Sequence, residues 1–467
     1  MSPDRPRIVL ISPARARNPH EDFVFKLGFL NLPYLAAVTP EGYQVEIVDE
    51  ELQTIDFDVP AWLVALTAQT PVAPRAYEIA DEFRKRGVCT VMGGVHASTV
   101  PEEALEHVDS VIIGEGEFVW PQVLADHVEG RLQRLYTNDT KSSLAGLPPP
   151  RRELLGAKGY FPLTLVETTR GCPHNCDFCG VSRFFGHYYR RRPAEEVLAE
   201  IGSLFGDGFR HKSSAFLARL GLDLPYFLER RLIYFIDSNF AADKANAMAI
   251  MQGLEAMDVK WWCHSTVDIV RDPALLRQMA ASGCIAVNVG FESLSPEHLK
   301  SMHKSFAGSV DYLQAVEKLH EENIGVMGTF VVGFDGEDAS VFNRIVEFAE
   351  STRLDWALVF IRTPYPGTSL YQKLEEDGRL LTRDWEKYDT LNCVYSPQGM
   401  TIEELEQGLR ATWKRLFSPR SLWRRILRGK RVHPLFYLGM NLQFTRMTSR
   451  WQPSFNPFTR AAGRKQP

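Results

Sequence analysis

The 467-residue sequence is 45% hydrophobic and carries a net charge of -5, which leaves room for two or three domains with cores of their own. Seven cysteines, four of them isolated (Cys89, Cys263, Cys284 and Cys393), point to a reducing cytoplasm and away from a disulfide framework. Met1 to Pro6 lead straight into a strand-like run with no signal-peptide pattern, and no apolar segment approaches the length of a membrane span. The charge is unevenly spread. Residues 407–467 hold fourteen Lys and Arg and no Asp or Glu, leaving 39 basic against 58 acidic residues elsewhere, a balance that argues against nucleic acid as a partner.

Residues 7 to about 130 alternate short apolar runs with amphipathic stretches. Strands are predicted at 7–12, 44–49, 62–67, 88–93 and 110–114, and a helix at 73–85, where apolar residues recur at three- and four-residue steps. Continuous apolar strands alternating with helices predict a parallel, doubly wound sheet, whose ligands bind at the carboxyl ends of the strands. Those ends carry Ser12 and Pro13, Thr67 to Thr70, Gly93, Gly94 and His96, and Gly114 to Glu117. Small residues there let a bulky ligand approach the backbone, although glycines of this kind also serve plain strand-to-helix turns.

Residues 131–160, with Leu147-Pro148-Pro149-Pro150, read as a linker. Six further strands are expected at 163–168, 232–237, 261–268, 284–291, 325–333 and 355–362, with helices at 194–204, 242–257, 273–282, 310–321 and 339–351. Six strand–helix units do not close an eight-fold barrel, so an open, partial (β/α) barrel is expected, with its active site at the carboxyl ends of the strands. Residues 207–231 insert a long basic and apolar stretch after the first helix, either on the amino-end face or as a partner surface. The chain ends in a tail that interleaves Arg and Lys with Trp423, Ile426, Leu427, Phe436, Tyr437 and Met440. Such a tail suits either an anionic membrane surface or a helix packed on the barrel with a solvated basic face.

The first barrel strand leads into Glu167-Thr168-Thr169-Arg170-Gly171-Cys172-Pro173-His174-Asn175-Cys176-Asp177-Phe178-Cys179, where three cysteines fall within eight residues. Structural zinc wants four protein ligands, usually as two separated pairs, and no second C-x₂-C or H-x₃-H completes such a site. Three thiolates on one short loop suit a [4Fe-4S] cluster whose fourth iron is open to an outside ligand; His174, inside the tight loop, is the alternative fourth ligand. An open iron implies chemistry. Polar residues gather at the same end of the barrel: Asp237 to Asn239, His264 to Thr266, Glu292 and Ser293, and Thr363. A carboxylate at a strand end also caps a following helix, the simpler role for Asp335 and Asp338, and Cys263 and Cys284 read as buried small hydrophobes.

The cysteine loop resembles that of the radical S-adenosylmethionine (SAM) enzymes, their C-x₃-C-x-Φ-C pattern being filled here by Cys172, Cys176, Phe178 and Cys179. The resemblance implies that the three cysteines hold a [4Fe-4S] cluster, that its open iron chelates the amino and carboxylate groups of SAM, and that an electron from the cluster splits SAM to a 5′-deoxyadenosyl radical. Asp237-Ser238-Asn239-Phe240 is similar to the family's D-x-N-F element and Gly290-Phe291-Glu292-Ser293 to its G-x-E-S element. The implied SAM contacts are Phe178, Asp237, Asn239, Glu292, Ser293 and Thr363. Upstream, Lys26-Leu27-Gly28, Gly93-Gly94-Val95-His96 and Gly114-Glu115-Gly116-Glu117, followed by such a loop, resemble the cobalamin-binding domain that precedes many radical SAM methylases. The implied cobalamin contacts are Ser12, Gly28, Thr67, Gly93, Gly94, His96, Gly114 and Glu115. The D-x-H-x-x-G loop that gives cobalt a lower histidine in many cobalamin proteins is absent, which implies base-off binding with no protein imidazole. Residues 380–419 are similar to the extension of relatives that modify hopanoids and bacteriochlorophylls.

An α/β protein is therefore expected: a Rossmann-like cobalamin-binding domain at 1–130, a linker at 131–160, a partial (β/α)₆ radical SAM barrel at 161–370 and an α-rich extension at 371–467. The implied reaction is methylation of an unactivated carbon of a hydrophobic substrate, such as a polycyclic lipid or tetrapyrrole. An external electron donor such as flavodoxin or ferredoxin is implied, in the cytoplasm or at the inner membrane surface through the basic tail. The alternatives are a cyclase, oxidase or rearrangement enzyme using the same cofactors, and a non-catalytic cobalamin-binding protein.

Overall fold

The computed structural model describes residues 5–15, 26–138, 142–156, 159–161, 163–186, 188–205, 231–427 and 433–449. Its first sheet contains β1 (Arg7–Ser12), β2 (Gln44–Asp49), β3 (Leu63–Thr67), β4 (Cys89–Gly93), β5 (Ser110–Ile113) and β6 (Leu135–Thr137), all parallel, in the spatial order β2-β1-β3-β4-β5-β6. Successive residues turn to opposite faces, and both faces are covered. Val9, Ile11, Val64 and Leu66 cluster with Ala76, Ile79, Ala80 and Phe83 of the helix Ala73–Lys85, while Ile8, Leu10, Leu63 and Ala65 cluster with Trp120, Val123 and Leu124 of the helix Trp120–Val128. Burial on both faces is why these strands read as unbroken apolar runs. The winding reverses between β1 and β3, the kind of point at which a crevice opens beyond the carboxyl ends of the strands.

One expectation is corrected here. β6 lies in the stretch read as linker, yet it pairs with β5, Val111 opposite Leu135 through Ile113 opposite Thr137, and the 3₁₀ turn Arg152–Leu155 packs Leu154 and Leu155 against the first core. The first unit therefore extends beyond residue 130.

The second unit starts with β7 (Thr164–Val166) and a short antiparallel ladder of β8 (Thr169–Arg170) and β9 (Arg190–Arg191). It continues with β10 (Leu232–Phe235), β11 (Lys260–Ser265), β12 (Cys284–Glu292), β13 (Gly325–Val332) and β14 (Trp356–Ile361), giving a parallel sheet in the order β14-β13-β12-β11-β10-β7. This is the open six-stranded arrangement expected. Three of its outer helices start at aspartate caps: Asp243 accepts the amide of Asn246, Asp272 that of Leu275, and Asp311 those of Leu313 and Gln314. Asp338 likewise accepts the amide of Ser340 at 2.8 Å, whereas Asp335 takes a two-pronged pair from Arg379 at 2.6 and 3.0 Å and caps nothing. Cys263 and Cys284 are buried in the core, as expected. The insertion at 207–231 lies outside the described residues except for Arg231.

The extension completes the barrel on two sides. The helix Ile402–Leu416, fixed by a capping box between Thr401 and Glu404, lays Leu405, Leu409, Trp413 and Leu416 into the barrel core, and the Trp413 indole donates to the Val359 carbonyl of β14 at 2.7 Å. Further on, Leu422, Ile426 and Tyr437 join Leu232, Trp262, Ile285, Ala286 and Met327 in one cluster at the amino ends of the strands. The described part of the tail is thus packed on the barrel. Arg425 is wholly buried, donating to the carbonyls of Leu354 (2.8 Å) and Leu416 (2.7 Å) and to Asn441 Oδ1 (3.1 Å). Among the described residues no helix is long and apolar enough to cross a membrane.

Trp413 is 1% exposed, so Trp413→Ala opens a cavity between the extension and β14. Denaturant unfolding of this variant is expected to show a loss of about 3–5 kcal/mol in the unit that contains the barrel.

Candidate functional site

The three cysteines lie on a loop whose base is the β8–β9 ladder, Thr169 opposite Arg191 and Arg170 opposite Arg190. Gly171 leaves the ladder at φ +87°, and a Cβ there would run into the carbonyl oxygen of Tyr188 on the returning limb. Only glycine suits both constraints. Within the loop the Cys179 amide donates to the Cys176 carbonyl at 3.1 Å, and Phe178 packs against the barrel core. Asp177 pairs with Arg362 after β14, and its carbonyl accepts the Leu370 amide at 3.0 Å. The loop is thereby tied to both ends of the open sheet.

Its entry is held by Asp237, which accepts from the Thr168 amide (2.7 Å), the Thr168 hydroxyl (2.6 Å) and the Thr169 amide (2.8 Å). Burial pushes this carboxyl up to about 6, against the pull of those donors. Asp237 was expected to touch SAM. With 1% exposure and its oxygens taken by the approach to β8, its work is to join β10 to the cysteine loop.

Burial pushes all three thiols up, Cys176 to about 12, with Lys304 pulling each of them down. Thiolates here need a metal to hold their charge. Among the described residues no three His, Cys, Asp or Glu side chains converge on a single point. A four-iron cube takes its thiolates on separate iron corners, the arrangement that suits three cysteines spread along one loop.

Around the loop the strand ends supply polar groups. Glu292 closes β12 at φ +60°, where the register with β13 shifts between Gly290 and Glu292. Its Oε1 accepts from Lys304 Nζ at 2.7 Å, and the same ammonium donates to the Gly290 carbonyl at 2.8 Å. A Cβ on Gly290 would collide with the Glu292 carboxylate, so this glycine makes room for the pair. Asn239 is buried between Ser265, which donates to its Oδ1 at 3.2 Å, and Thr266, which accepts from its Nδ2 at 3.3 Å. Ser293 receives the Ser295 amide (3.1 Å) in a turn, and the Thr363 hydroxyl donates to the Ile361 carbonyl (3.0 Å). Both hydroxyls thus serve local backbone.

A cleft of about 610 Å³ opens at the carboxyl ends of the first sheet, within the size range of cofactor sites. Ser12, Gly28, Thr67, Gly93, Gly94, Gly114 and Glu115 all line it. Gly28 and Gly93 have ordinary φ, and a Cβ would approach protein no closer than 3.7 and 3.8 Å. Packing does not require glycine there, but a cleft floor bare enough for a large flat ligand does. His96 is the exception among the expected residues. It is wholly buried, its Nε2 3.0 Å from the Tyr77 hydroxyl and its ring 5.3 Å from that of Trp385, whose indole donates to Glu103 at 2.8 Å. The extension has closed over it.

The far wall of the cleft belongs to the second unit: Leu165, Glu167, Arg170, Phe184, Phe185, Tyr234 and Ile236. Arg170 donates to Glu115 at 2.6 Å, Glu117 at 2.8 Å and Glu167 at 2.9 Å, and Arg190 stands 2.6 Å from the other oxygen of Glu115, unaligned for a hydrogen bond. Burial pushes Glu167 up to about 7 while Arg170 pulls it down. The sequence reading assigned no role to Arg170, Arg190 or Lys304. The one available signal was an arginine directly before Gly171-Cys172.

Gly171→Ala is expected to leave the sheets intact but to spread the loop base, because a side chain at this φ costs about 1–3 kcal/mol in addition to the clash with Tyr188. Iron and sulfide bound per chain after anaerobic reconstitution should fall well below wild type while circular dichroism is unchanged.

Comparison with known proteins agrees with this layout. The model of the radical SAM superfamily matches residues 166–349, that of the B12 binding domain residues 26–124, and a domain of unknown function (DUF4070) residues 368–434. The bacteriochlorophyllide d C-12(1)-methyltransferase of Chlorobaculum tepidum is 28% identical over 424 residues, covering 89% of this chain and 88% of its own. The anaerobic magnesium-protoporphyrin IX monomethyl ester cyclase of Cereibacter sphaeroides is 26% identical over 89% of this chain and 68% of its own. Among solved structures, the radical SAM methyltransferase TsrM of Kitasatospora setae, with cobalamin and a [4Fe-4S] cluster bound, superposes with a TM-score of 0.65 at 17% identity, over 95% of this chain and 99% of that one. Residues 166–349 thus match a radical SAM domain, and a B12-binding domain at residues 26–124 precedes it.

Proposed function

We propose that this protein is a cobalamin-dependent radical SAM enzyme that methylates an unactivated carbon of a hydrophobic substrate. The observation that carries the reading is the shared cleft: its near wall is the strand-end loops of the B12-binding domain, and its far wall includes Arg170, Phe184 and Phe185, which flank the three cysteines on either side. When bound, the cluster and SAM supply a 5′-deoxyadenosyl radical and cobalamin supplies the methyl group. Cys172, Cys176 and Cys179 hold the cluster. Glu292 and Lys304 form a ready pair of opposite charges, the carboxylate suited to the amino group of SAM and the ammonium to its carboxylate. Asn239, Phe178, Ser293 and Thr363, from the cysteine loop and the neighbouring strand ends, complete the set assigned to SAM.

Gly28, Gly93, Gly94 and Gly114 bare the floor on which the corrin would lie, with Ser12 and Thr67 at its edge. His96, buried in its short helix against Tyr77, does not line the cleft and would not serve as a cobalt ligand. The apolar wall of Leu165, Tyr234 and Ile236 excludes water and favours a greasy substrate, and the relatives that act on tetrapyrroles point to a molecule of that class. An external donor such as flavodoxin or ferredoxin would supply electrons in the cytoplasm. Exposed Trp423, Leu427 and Leu442 on the basic tail support a peripheral membrane contact.

The cyclase relative favours a second reading, in which the same radical does not lead to methyl transfer. The reconstituted protein, given cobalamin, reductant, methyl-labelled SAM and bacteriochlorophyllide d as trial acceptor, separates the two. Methylation is expected to yield S-adenosylhomocysteine and 5′-deoxyadenosine together, with label in the acceptor; 5′-deoxyadenosine without S-adenosylhomocysteine selects the second reading. Cys176→Ala should abolish 5′-deoxyadenosine in either case.

A further inference from the structure

At the base of the cysteine loop the two domains are joined through buried charged side chains. Arg170 and Arg190 face each other across the β8–β9 ladder, and both reach the same carboxylate, Glu115, from the cleft-lining loop of the B12-binding domain. All three side chains are at least nine-tenths buried. On its own side, the Glu115 loop is pinned by its backbone: the Gly114 amide donates to the Ser98 hydroxyl at 2.9 Å and the Glu115 amide to Asn138 Oδ1 at 2.8 Å. A ligand seated against Gly114 therefore presses on a segment in which the Glu115 side chain ends between the two arginines that set the loop's entry and return, while Glu117 meets Arg170 alone. Away from water such charged contacts are strong and steep in distance. A small shift of Glu115 is felt at both limbs of the loop at once.

We propose that Glu115, with Arg170 and Arg190, is a positioning device that couples occupancy of the corrin pocket to the geometry of the cluster loop, so that each cofactor binds more tightly when the other is in place. The inference rests on the reading of the cleft as the cobalamin site and of the loop as the cluster site. It reassigns Glu115, which the sequence suggested as a direct cobalamin contact, to a role exerted through the loop. Coupling of this kind is reciprocal by thermodynamic necessity.

The test uses the full-length protein in two forms, one with the cluster reconstituted anaerobically and one with its iron removed by chelation. Hydroxocobalamin is titrated into each and followed by corrin absorbance. Wild type is expected to bind it about tenfold more tightly with the cluster in place, a coupling of ordinary allosteric size. Glu115→Gln, which keeps the shape but removes the charge both arginines share, should bring that ratio close to one. The ratio is the readout because a side chain that only stabilised the fold would weaken both affinities alike. Equal affinity of the two wild-type forms, or an undiminished ratio in Glu115→Gln, overturns the proposal. If circular dichroism shows that Glu115→Gln does not fold, Arg190→Gln removes the other end of the same contact and is read in the same way. Wild type that binds no hydroxocobalamin in either form removes the reading of the cleft itself, and the proposal with it.

Discussion

Two arginines on one loop and one carboxylate from the neighbouring domain hold this molecule in its working shape. Around them, three carboxylates (Glu115, Glu117 and Glu167) face two guanidiniums (Arg170 and Arg190) in a region largely closed to water. Burial pushes Glu167 up to about 7 while Arg170 pulls it down, and breaking a buried network of this kind by removing one partner leaves an uncompensated charge. A second set lies beside it: Arg192 pairs with Glu200 at 2.7 Å and donates to the Glu167 carbonyl at 3.1 Å, while Arg152, from the connection between domains, reaches Glu200 at 2.5 Å. The cleft and the cysteine loop are not two sites that happen to be adjacent. They share one set of charges.

Much of the fold was legible because both sheets are buried on both faces, which writes each strand as an apolar run and each outer helix as a three- and four-residue stripe. The cysteine spacing was legible for a different reason: a covalent ligand set leaves its distances in the sequence. What could not be read depends on pairing across space. β6 is three residues long and is a strand only because β5 lies beside it. His96 opens the short helix that follows the cleft glycines, but its ring meets Tyr77, and Trp385 of the distant extension packs against it. Asp237 and Glu115 stand out in the sequence as carboxylates at strand ends, but their partners, the Thr168 and Thr169 donors for one and Arg170 and Arg190 for the other, come from segments far away in the chain. Arg170 and Lys304 passed unnoticed because an isolated basic residue has no pattern.

The strand end at Glu292 shows how the fold stores the means of handling a charged ligand. A left-handed backbone at a residue with a side chain is costly, and here it is held by the Lys304 ammonium, which bonds both the Glu292 carboxylate and the Gly290 carbonyl. The pair satisfies an acidic and a basic side chain inside the protein, and in the proposed function it would offer one of each kind to the amino and carboxylate groups of SAM. Exchange of partners then requires little net desolvation. Gly290 is needed only because the pair occupies the space where its side chain would stand.

The floor of the barrel has a consequence in time rather than in space. Trp262, Ala286 and Met327 are covered from below by Leu422, Ile426 and Tyr437, residues near the end of the chain. During synthesis the strands that carry the first group leave the ribosome well before the segment that covers them, so a half-made barrel exposes an apolar surface that its own sequence cannot yet bury. The cover thus comes from a segment made later than the strands it protects, and a chain shortened before Tyr437 would lack that part of it.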